Sequence, residues 1–231
     1  TAPFSCFLIA APDVSLDLGG HTITGHDRTF ATGINIQPWA TNARVADGTL
    51  TGFSAGVLAQ ASGAHIEDVT VGDSFVGINV SPTNHLLSGI VLSGDRAVGD
   101  DLGIALLGVV GGRVAGNTAS GNTSWGIRVL PRTTGTQLVG NTATGNGFQG
   151  IAVEGGATGN LFVGNTATGN PKGDIVMVRG ATHNRIASNT ATGDVAPRFA
   201  DLEDFNPGCD SNRWVANTFS TSLSIPAGCI H

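Results

Sequence analysis

The 231-residue sequence contains little lysine, few aromatic residues and no long apolar run. Lys172 is its one lysine, and 17 acidic residues outnumber 11 basic ones, which gives a net charge of −6. A protein with so little basic surface cannot neutralise many phosphates, so we expect no nucleic acid partner. No stretch of about 18 apolar residues occurs, so we also expect no membrane-spanning helix.

Motifs of several common enzyme classes are also missing. There is no Gly-x-Ser-x-Gly elbow, no phosphate-binding loop and no Cys-x-x-Cys pair, which disfavours nucleotide hydrolysis and zinc chemistry. The histidines lack the spacing of metal ligands; they are His21, His26, His65, His85, His183 and His231. We predict no bound metal and no cofactor. Calcium is a weak candidate, because acidic ligands are too few.

Glycine, in contrast, is abundant, and one hexapeptide recurs every 24 residues. Its copies are Asn117-Thr-Ala-Ser-Gly-Asn122, Asn141-Thr-Ala-Thr-Gly-Asn146, Asn165-Thr-Ala-Thr-Gly-Asn170 and Asn189-Thr-Ala-Thr-Gly-Asp194. A fixed period of this size is typical of a solenoid, in which each turn stacks on the last. We predict one domain over residues 1–231. Residues 1–12 form a partial first turn or cap, and residues 194–231 form C-terminal turns with an insertion and a cap.

Each of about nine turns is predicted to contain three short strands. The first carries a Gly-Ile-x-Val group, the second one central apolar residue and the third a Thr-x-Thr group, with alternate residues facing inward. The second core column is predicted to be Leu18, Val45, Ile66, Leu87, Val114, Leu138, Phe162, Ile186 and Trp214. The third is predicted to be Ile23, Leu50, Thr70, Leu92, Ala119, Ala143, Ala167, Ala191 and Phe219.

Stacked turns also place equivalent polar residues in vertical rows. The row between the second and third strands is predicted to be an asparagine ladder of Asn117, Asn141, Asn165, Asn189 and Asn217. Their amides can bond to one another and to buried backbone groups. We interpret these asparagines as structural rather than catalytic.

The three cysteines indicate an oxidising compartment. Cys209 and Cys229 lie 20 residues apart, about one turn, so stacking would bring them close enough for a disulfide. Cys6 is left over, either as a buried thiol or as a residue whose partner lies upstream. The chain starts at Thr1 without a leader, which is consistent with a processed protein. We predict a secreted or periplasmic location.

Three segments resemble one known group of proteins. Leu16-Asp-Leu-Gly-Gly-His-Thr-Ile-Thr-Gly25, the Asn-Thr-x-x-Gly-Asn turns and the closing segment 209–229 are similar to secreted right-handed parallel β-helix repeat proteins of the pectate-lyase-like superfamily. The resemblance implies an all-β, single-stranded, right-handed parallel β-helix. Members of that superfamily include lyases, glycoside hydrolases, epimerases and non-catalytic proteins, and their substrate usually lies on the outer face of the first strand.

We therefore examined the outward positions of the first strand and of the residue that follows it. One column is predicted to be Asn35, Leu58, Asn79, Ala105, Arg128, Ala152 and Val176, and the next Gln37, Gln60, Ser81, Leu107, Leu130, Glu154 and Val178. Amides suit sugar hydroxyls, and tryptophan can stack on a pyranose ring. The predicted substrate-binding residues are Asn35, Gln37, Trp39, Gln60, Asn79, Trp125, Arg132 and Arg179.

Four residues are candidates for catalysis. Asp100 and Asp101 loosely resemble the Asp-Asp element of polygalacturonases, although adjacent aspartates in a glycine-flanked turn are usually turn residues. Arg128 is a candidate base or substrate clamp, and Glu154 is a further carboxylate near the same face.

The leading hypothesis is a carbohydrate-interacting β-helix that either binds an extended glycan or cleaves it as a lyase or glycoside hydrolase. A second is a cyclase or lyase that holds an apolar small molecule on the same face, with Arg128 and Glu154 as polar contacts. A third is a structural homodimer through the apolar strip Leu107, Leu130, Val176 and Val178. The sequence leaves open the ligand, the reaction, the oligomeric state and the role of residues 194–211.

Overall fold

The computed structural model describes residues 5–193, 198–225 and 227–230, apart from the side chains of residues 27, 29 and 30. The chain winds into a parallel β-solenoid of about nine turns with almost no helix. Each strand pairs in parallel with its copies one turn below and above. The predicted all-β parallel β-helix is confirmed.

Three ladders of strands form the walls. The first ladder contains β1 (Ser5–Ile9), the end of β3 (Thr22–Ile36), the end of β4 (Arg44–Ala59), β6 (Val76–Val80), β10 (Leu102–Leu106), β14 (Ile127–Val129), β17 (Ile151–Val153), β20 (Ile175–Met177), β23 (Leu202–Pro207) and β26 (Ser222–Ile225). The second contains β2 (Ser15–Asp17), the start of β4, the start of β5 (His65–Gly72), β8 (Val91–Ser93), β12 (Arg113–Ala115), β15 (Gln137–Val139), β18 (Leu161–Val163), β21 (Arg185–Ala187) and β24 (Arg213–Val215).

The third ladder contains the start of β3, the middle of β4, the end of β5, β9 (Arg96–Val98), β13 (Thr118–Ser120), β16 (Thr142–Thr144), β19 (Thr166–Thr168), β22 (Thr190–Thr192) and β25 (Thr218–Phe219). A minor ladder pairs β7 (Leu87–Ser88) with β11 (Val109–Val110), and a 3-10 turn spans Gly208–Ser211.

Inward side chains of the ladders fill the interior. In the first ladder, Ile104, Ile127 and Ile151 lie in register on successive turns and are fully buried. Because side chains alternate along a strand, the residue after each isoleucine faces outward. Burial of each such side chain stabilises the fold by about 1.5–3 kcal/mol. The inward side chains of the third ladder become smaller along the stack and are alanines at Ala119 and Ala143, as predicted.

Two predicted ladder positions are wrong in the N-terminal turns. Leu18 is buried in the core, as predicted, but Leu16 is the residue that pairs with Val45 in the second ladder. Val71, rather than Thr70, faces inward, since Val71 is fully buried and Thr70 is half-buried. Both turns lack the hexapeptide that fixes the alignment of the later turns.

Two more positions are wrong because the turns vary in length. Equivalent residues are 26 apart between Val69 and Asp95, 22 apart in the next turn, 24 apart from Asn117 to Asn189 and 28 apart in the last turn. Leu92 therefore lies in the second ladder opposite Ile66. Ala97 takes the third-ladder position predicted for Leu92. Leu87 pairs with Val109 in the minor ladder.

The predicted asparagine ladder is present between the second and third ladders. Asn117 donates from its N–H and its Nδ2 to Asn141 Oδ1, each at 3.0 Å. Asn141 makes the same two bonds to Asn165, each at 2.9 Å. Each Nδ2 also donates to a main-chain carbonyl, so these buried amides are well satisfied.

A second asparagine ladder, which we did not predict, lies at the bend before the first ladder. Asn122 donates to Asn146, which donates to Asn170. A Cβ at Gly126 would lie 2.7 Å from Asn146 Nδ2, so the close approach of this amide requires glycine. The same contact with an asparagine Nδ2 accounts for Gly103 and Gly150.

The C-terminal end of the stack is closed by a disulfide between Cys209 and Cys229, as predicted. Nearby, the fully buried Asp204 accepts hydrogen bonds from Asn212 Nδ2 at 3.1 Å and Trp214 Nε1 at 3.0 Å. Part of the predicted insertion is β23, which is a regular member of the first ladder; residues 194–197 lie outside the described residues.

Cys6 is exposed, which contradicts the alternative of a buried thiol. Among the residues described, no helix combines the length and the apolar character needed to cross a membrane.

Candidate functional site

The outward column of the first ladder has the predicted register. Successive pairings join Asn35, Leu58, Asn79, Ala105, Arg128, Ala152 and Val176, and they extend the column to Leu8, Glu203 and Leu223. We refer to this column, together with the bend residues that precede and follow its strands, as the first-strand face.

Burial differs along the first-strand face. Ala152, Val176 and Glu203 are fully buried. The backbone of Gly173 lies against Val176, and the N–H of Ala200 donates to Glu203 Oε1 at 2.7 Å. The bends before these strands therefore cover Val176 and Glu203, whereas Leu58, Asn79 and Arg128 stay partly exposed.

The predicted apolar strip needs correction at one position. Val176 has no exposed surface and cannot contribute to a dimer interface or an apolar ligand site. Leu107, Leu130 and Val178 are half-buried. Dimerisation through these three residues remains a prediction.

Arg128 and Glu154 come together at the middle of the face. Arg128 Nε donates to Glu154 Oε1 at 2.8 Å, and the guanidinium carbon lies 4.2 Å from the ring centroid of Trp125. Trp125 Nε1 donates to Gln149 Oε1 at 3.1 Å, and its ring meets Phe148 edge-on with centroids 5.1 Å apart. This cluster is a fixed aromatic surface bordered by polar atoms, in which the arginine charge is balanced by a carboxylate.

Asp100 is not on the face. Its side chain is fully buried at the start of the second asparagine ladder, where Oδ1 accepts the N–H of Ser74 at 2.8 Å. A Cβ at Gly77 would lie 2.7 Å from Asp100 Oδ2. A Cβ at Gly126 would lie equally close to Asn146 Nδ2, so the carboxylate of Asp100 and the amide of Asn146 have equivalent positions in their turns. Asp100 thus occupies an asparagine position, and burial raises its pKa to about 7. Because its side chain has no exposed surface, the structure gives no support to the predicted catalytic role of Asp100.

Asp101, in contrast, is 38% exposed at the edge of the face and belongs to a cleft of about 530 Å³. Among the described side chains, those of Arg28, Ser54, Phe75 and Asp101 line this cleft, which we call the Phe75 cleft. Arg28 Nη2 donates to Asp101 Oδ1 at 3.2 Å and to the carbonyl of Ser74 at 2.7 Å.

Arg28, Ser54 and Phe75 were not among the predicted site residues. A signal was available, because an aromatic residue precedes the Gly-Ile pair in several turns. It is seen in Phe75-Val-Gly-Ile, Trp125-Gly-Ile and Phe148-Gln-Gly-Ile. These three aromatic residues lie in the bends before their strands, at the same edge of the first-strand face.

The remaining predicted binding residues lie mostly at the opposite edge, where the chain leaves the first ladder. Trp39 is 60% exposed, and its indole N–H donates to the carbonyl of Ala10 at 2.9 Å. Gln37 and Gln60 are half-buried, whereas Arg132 and Arg179 are exposed in bends. Of the amides in the outward column, Asn79 is half-buried but Asn35 is only 6% exposed. The predicted residues thus border one face without converging on one point.

A family model for the periplasmic copper-binding protein (NosD) matches residues 20–198, more than half of the chain. The chain belongs to the NosD family. The periplasmic location in the family description supports the predicted secreted or periplasmic location. No curated protein matches the chain.

Solved structures similar to this NosD-family chain include two epimerase modules of Azotobacter vinelandii. The A-module of mannuronan C-5 epimerase AlgE6 has a TM-score of 0.62 at 14% identity, covering 93% of this chain and 82% of that one. The AlgE4 A-module has a TM-score of 0.56 at 14% identity, covering 95% and 80%. A mutant of the periplasmic alginate epimerase AlgG has a TM-score of 0.52 at 13% identity, covering 92% and 70%. At such identities the likeness establishes the shared fold.

The side chains that the structure describes in this NosD-family chain do not form a copper site. Copper in proteins favours cysteine, methionine and histidine ligands. Met177 is fully buried in the apolar core, and Cys209 and Cys229 are joined in the disulfide. In the described ranges, no three histidine, cysteine, aspartate or glutamate side chains are grouped as metal ligands.

Proposed function

We propose that this NosD-family chain is a periplasmic β-helix protein that binds an extended carbohydrate along the first-strand face. The observation that supports this most is the cluster of Trp125, Arg128, Gln149 and Glu154. An aromatic ring with a fixed orientation can pack against the apolar face of a pyranose, and the surrounding guanidinium, amide and carboxylate can bond to its hydroxyls.

The extended form of the ligand follows from the extended form of the face. The accessible outward positions repeat once per turn, and neighbouring turns are about 4.8 Å apart. A chain of sugars lying across the turns would meet Asn79 first and the cluster around Trp125 next, two turns further along. The epimerases with the same fold act, by their names, on alginate or mannuronan, which are carbohydrate chains.

Binding is better supported than hydrolysis. A glycoside hydrolase needs two carboxyl groups about 5 to 9.5 Å apart across the scissile bond. Asp101 precedes its first-ladder strand, whereas Glu154 follows a strand two turns further on. Two turns span about 9.6 Å and a three-residue strand about 10 Å, so the two backbone positions are more than about 13 Å apart. Glu154 is also paired with Arg128.

A glycan array followed by calorimetric titration of the best ligand tests this proposal. Trp125→Ala and Asn79→Ala are expected to weaken binding at least 10-fold, because each removes a contact on the face. Gln137→Ala is the matched control, since Gln137 is exposed on the second ladder. The proposal fails if no glycan binds, or if Gln137→Ala weakens binding as much as Trp125→Ala.

A further inference from the structure

The Phe75 cleft has the size and composition of a small-molecule subsite. Its volume of about 530 Å³ lies within the range of about 300–1,000 Å³ usual for ligand sites. Such sites combine apolar or aromatic surface with a few fixed polar groups. Here Phe75 supplies the aromatic surface, and Arg28, Ser54 and Asp101 supply polar groups.

Phe75 presents its ring from a rigid backbone. Its N–H donates to the carbonyl of Phe53 at 2.8 Å, and its own carbonyl accepts the N–H of Leu102 at 3.1 Å. These bonds tie Phe75 to the turns below and above, yet its side chain is 58% exposed. When a ligand covers a large apolar ring that is exposed to water, the removal of apolar surface from water favours binding.

The polar groups of the cleft are also fixed before a ligand arrives. Asp101 Oδ1 accepts from Arg28 Nη2 at 3.2 Å and from Thr123 Oγ1 at 3.1 Å. Arg28 Nη1 lies 3.6 Å from Asp73 Oδ1. All these contacts to Asp101 use Oδ1, and its carboxylate is 38% exposed, so Oδ2 can accept a hydroxyl hydrogen.

The charges at the cleft disfavour an acidic ligand. One guanidinium, that of Arg28, lies between the carboxylates of Asp73 and Asp101, so these three groups carry a net charge of −1. A uronate would bring a further negative charge and would compete with Asp101 for Arg28. A neutral sugar hydroxyl both donates and accepts, and therefore suits a guanidinium and a carboxylate placed side by side.

We propose that the Phe75 cleft is a subsite for a neutral pyranose unit, with Phe75 stacked on the sugar ring and Asp101 and Arg28 bonded to its hydroxyls. This rests on the proposed function, and it separates the ligand of this chain from the alginate or mannuronan named for the epimerases of similar fold. It also assigns ligand contacts to Arg28, Ser54 and Phe75.

Calorimetric titration of neutral manno- and gluco-oligosaccharides and of oligomannuronate, at low and high salt, tests the proposal. A neutral oligosaccharide is expected to bind at least 10-fold more tightly than oligomannuronate, with little dependence on salt. Phe75→Ala is expected to weaken that binding at least 10-fold. Phe7→Ala, which removes a ring that is 41% exposed at the N-terminal end, is the matched control and is expected to have no effect.

Asp101→Asn tests how much the negative charge of Asp101 contributes to the preference for neutral sugars. It keeps the size of the side chain but removes the negative charge, so it is expected to narrow the preference for neutral over acidic sugars. Thermal unfolding of each variant checks that the fold is retained.

The outcomes distinguish this inference from the proposed function. Tighter binding of oligomannuronate than of any neutral sugar overturns the inference but leaves carbohydrate binding intact. The same holds if Trp125→Ala abolishes binding while Phe75→Ala and Asp101→Asn leave the affinity unchanged. Failure of every glycan to bind overturns both.

Discussion

Replacing Asp95 with asparagine is expected to stabilise the protein, and more so at neutral than at acidic pH. Asp95 is fully buried at the start of the first asparagine ladder. Its Oδ1 accepts the N–H of Val69 at 3.0 Å, and its own N–H donates to Asn117 Oδ1 at 2.9 Å. Its Oδ2 makes no hydrogen bond to the residues that the structure describes. An asparagine would place a neutral amide where the ladder already uses amides.

The magnitude follows from the pKa of Asp95. Burial raises this pKa from 3.8 to about 8, so the folded protein retains a proton that the unfolded chain has lost. Because the folded state binds more protons between these two values, the free energy of unfolding falls as pH rises through that window. Each pH unit costs about 1.4 kcal/mol, and the penalty reaches about 4 kcal/mol at pH 7. Above about pH 8 both states are ionised and the penalty stops growing.

Urea unfolding of the wild type and Asp95→Asn at pH 4 and pH 7 measures this effect. The variant is expected to gain up to about 4 kcal/mol at pH 7 and little at pH 4. Asp47→Asn is the matched control, because Asp47 is exposed in β4 and has a positive φ, which asparagine tolerates. Equal effects of Asp95→Asn at both pH values, or a loss of stability at pH 7, would refute the reasoning.

Three other predictions concern the same framework. Asp100→Asn is expected to raise the free energy of unfolding for the same reason. The gain is expected to stop growing near pH 7, because the pKa of Asp100 is about 7, and urea unfolding at several pH values measures it. Asn141→Ala is expected to cost at least about 2 kcal/mol in the same assay, because both Asn117 donors lose their acceptor, and an unchanged midpoint would contradict the ladder. Replacing Cys209 and Cys229 with serine is expected to lower stability by about 3 kcal/mol, since their bond closes a loop of about 20 residues; a melting temperature equal to that of the wild type would contradict this.

The regular turns were predictable because sequence and structure share one period there. Between Asn117 and Asn189 the repeat of 24 residues places every strand and each ladder asparagine in register. The spacing of Cys209 and Cys229 predicted their disulfide for the same reason, since about one turn separates them.

The less regular turns were not predictable from a period. Leu87 and Leu92 were assigned to the wrong ladders because the connection before β8 is longer than in later turns. Asp100 and Asp101 are adjacent in sequence, yet one is buried in a ladder and the other lies in a cleft. Asp95-Arg-Ala-Val-Gly-Asp100 is a degenerate copy of the hexapeptide, which places Asp100 at the position of Asn122, but its spacing of 22 rather than 24 residues hides the match from a strict period.

Hydrogen-deuterium exchange with and without the best glycan ligand tests the central claim most directly. If the glycan lies on the first-strand face, exchange is expected to slow in the bends at residues 73–76, 99–102 and 123–126, which contain Phe75, Asp101 and Trp125. A change confined to the third ladder, at residues 142–144 and 166–168, would contradict that claim.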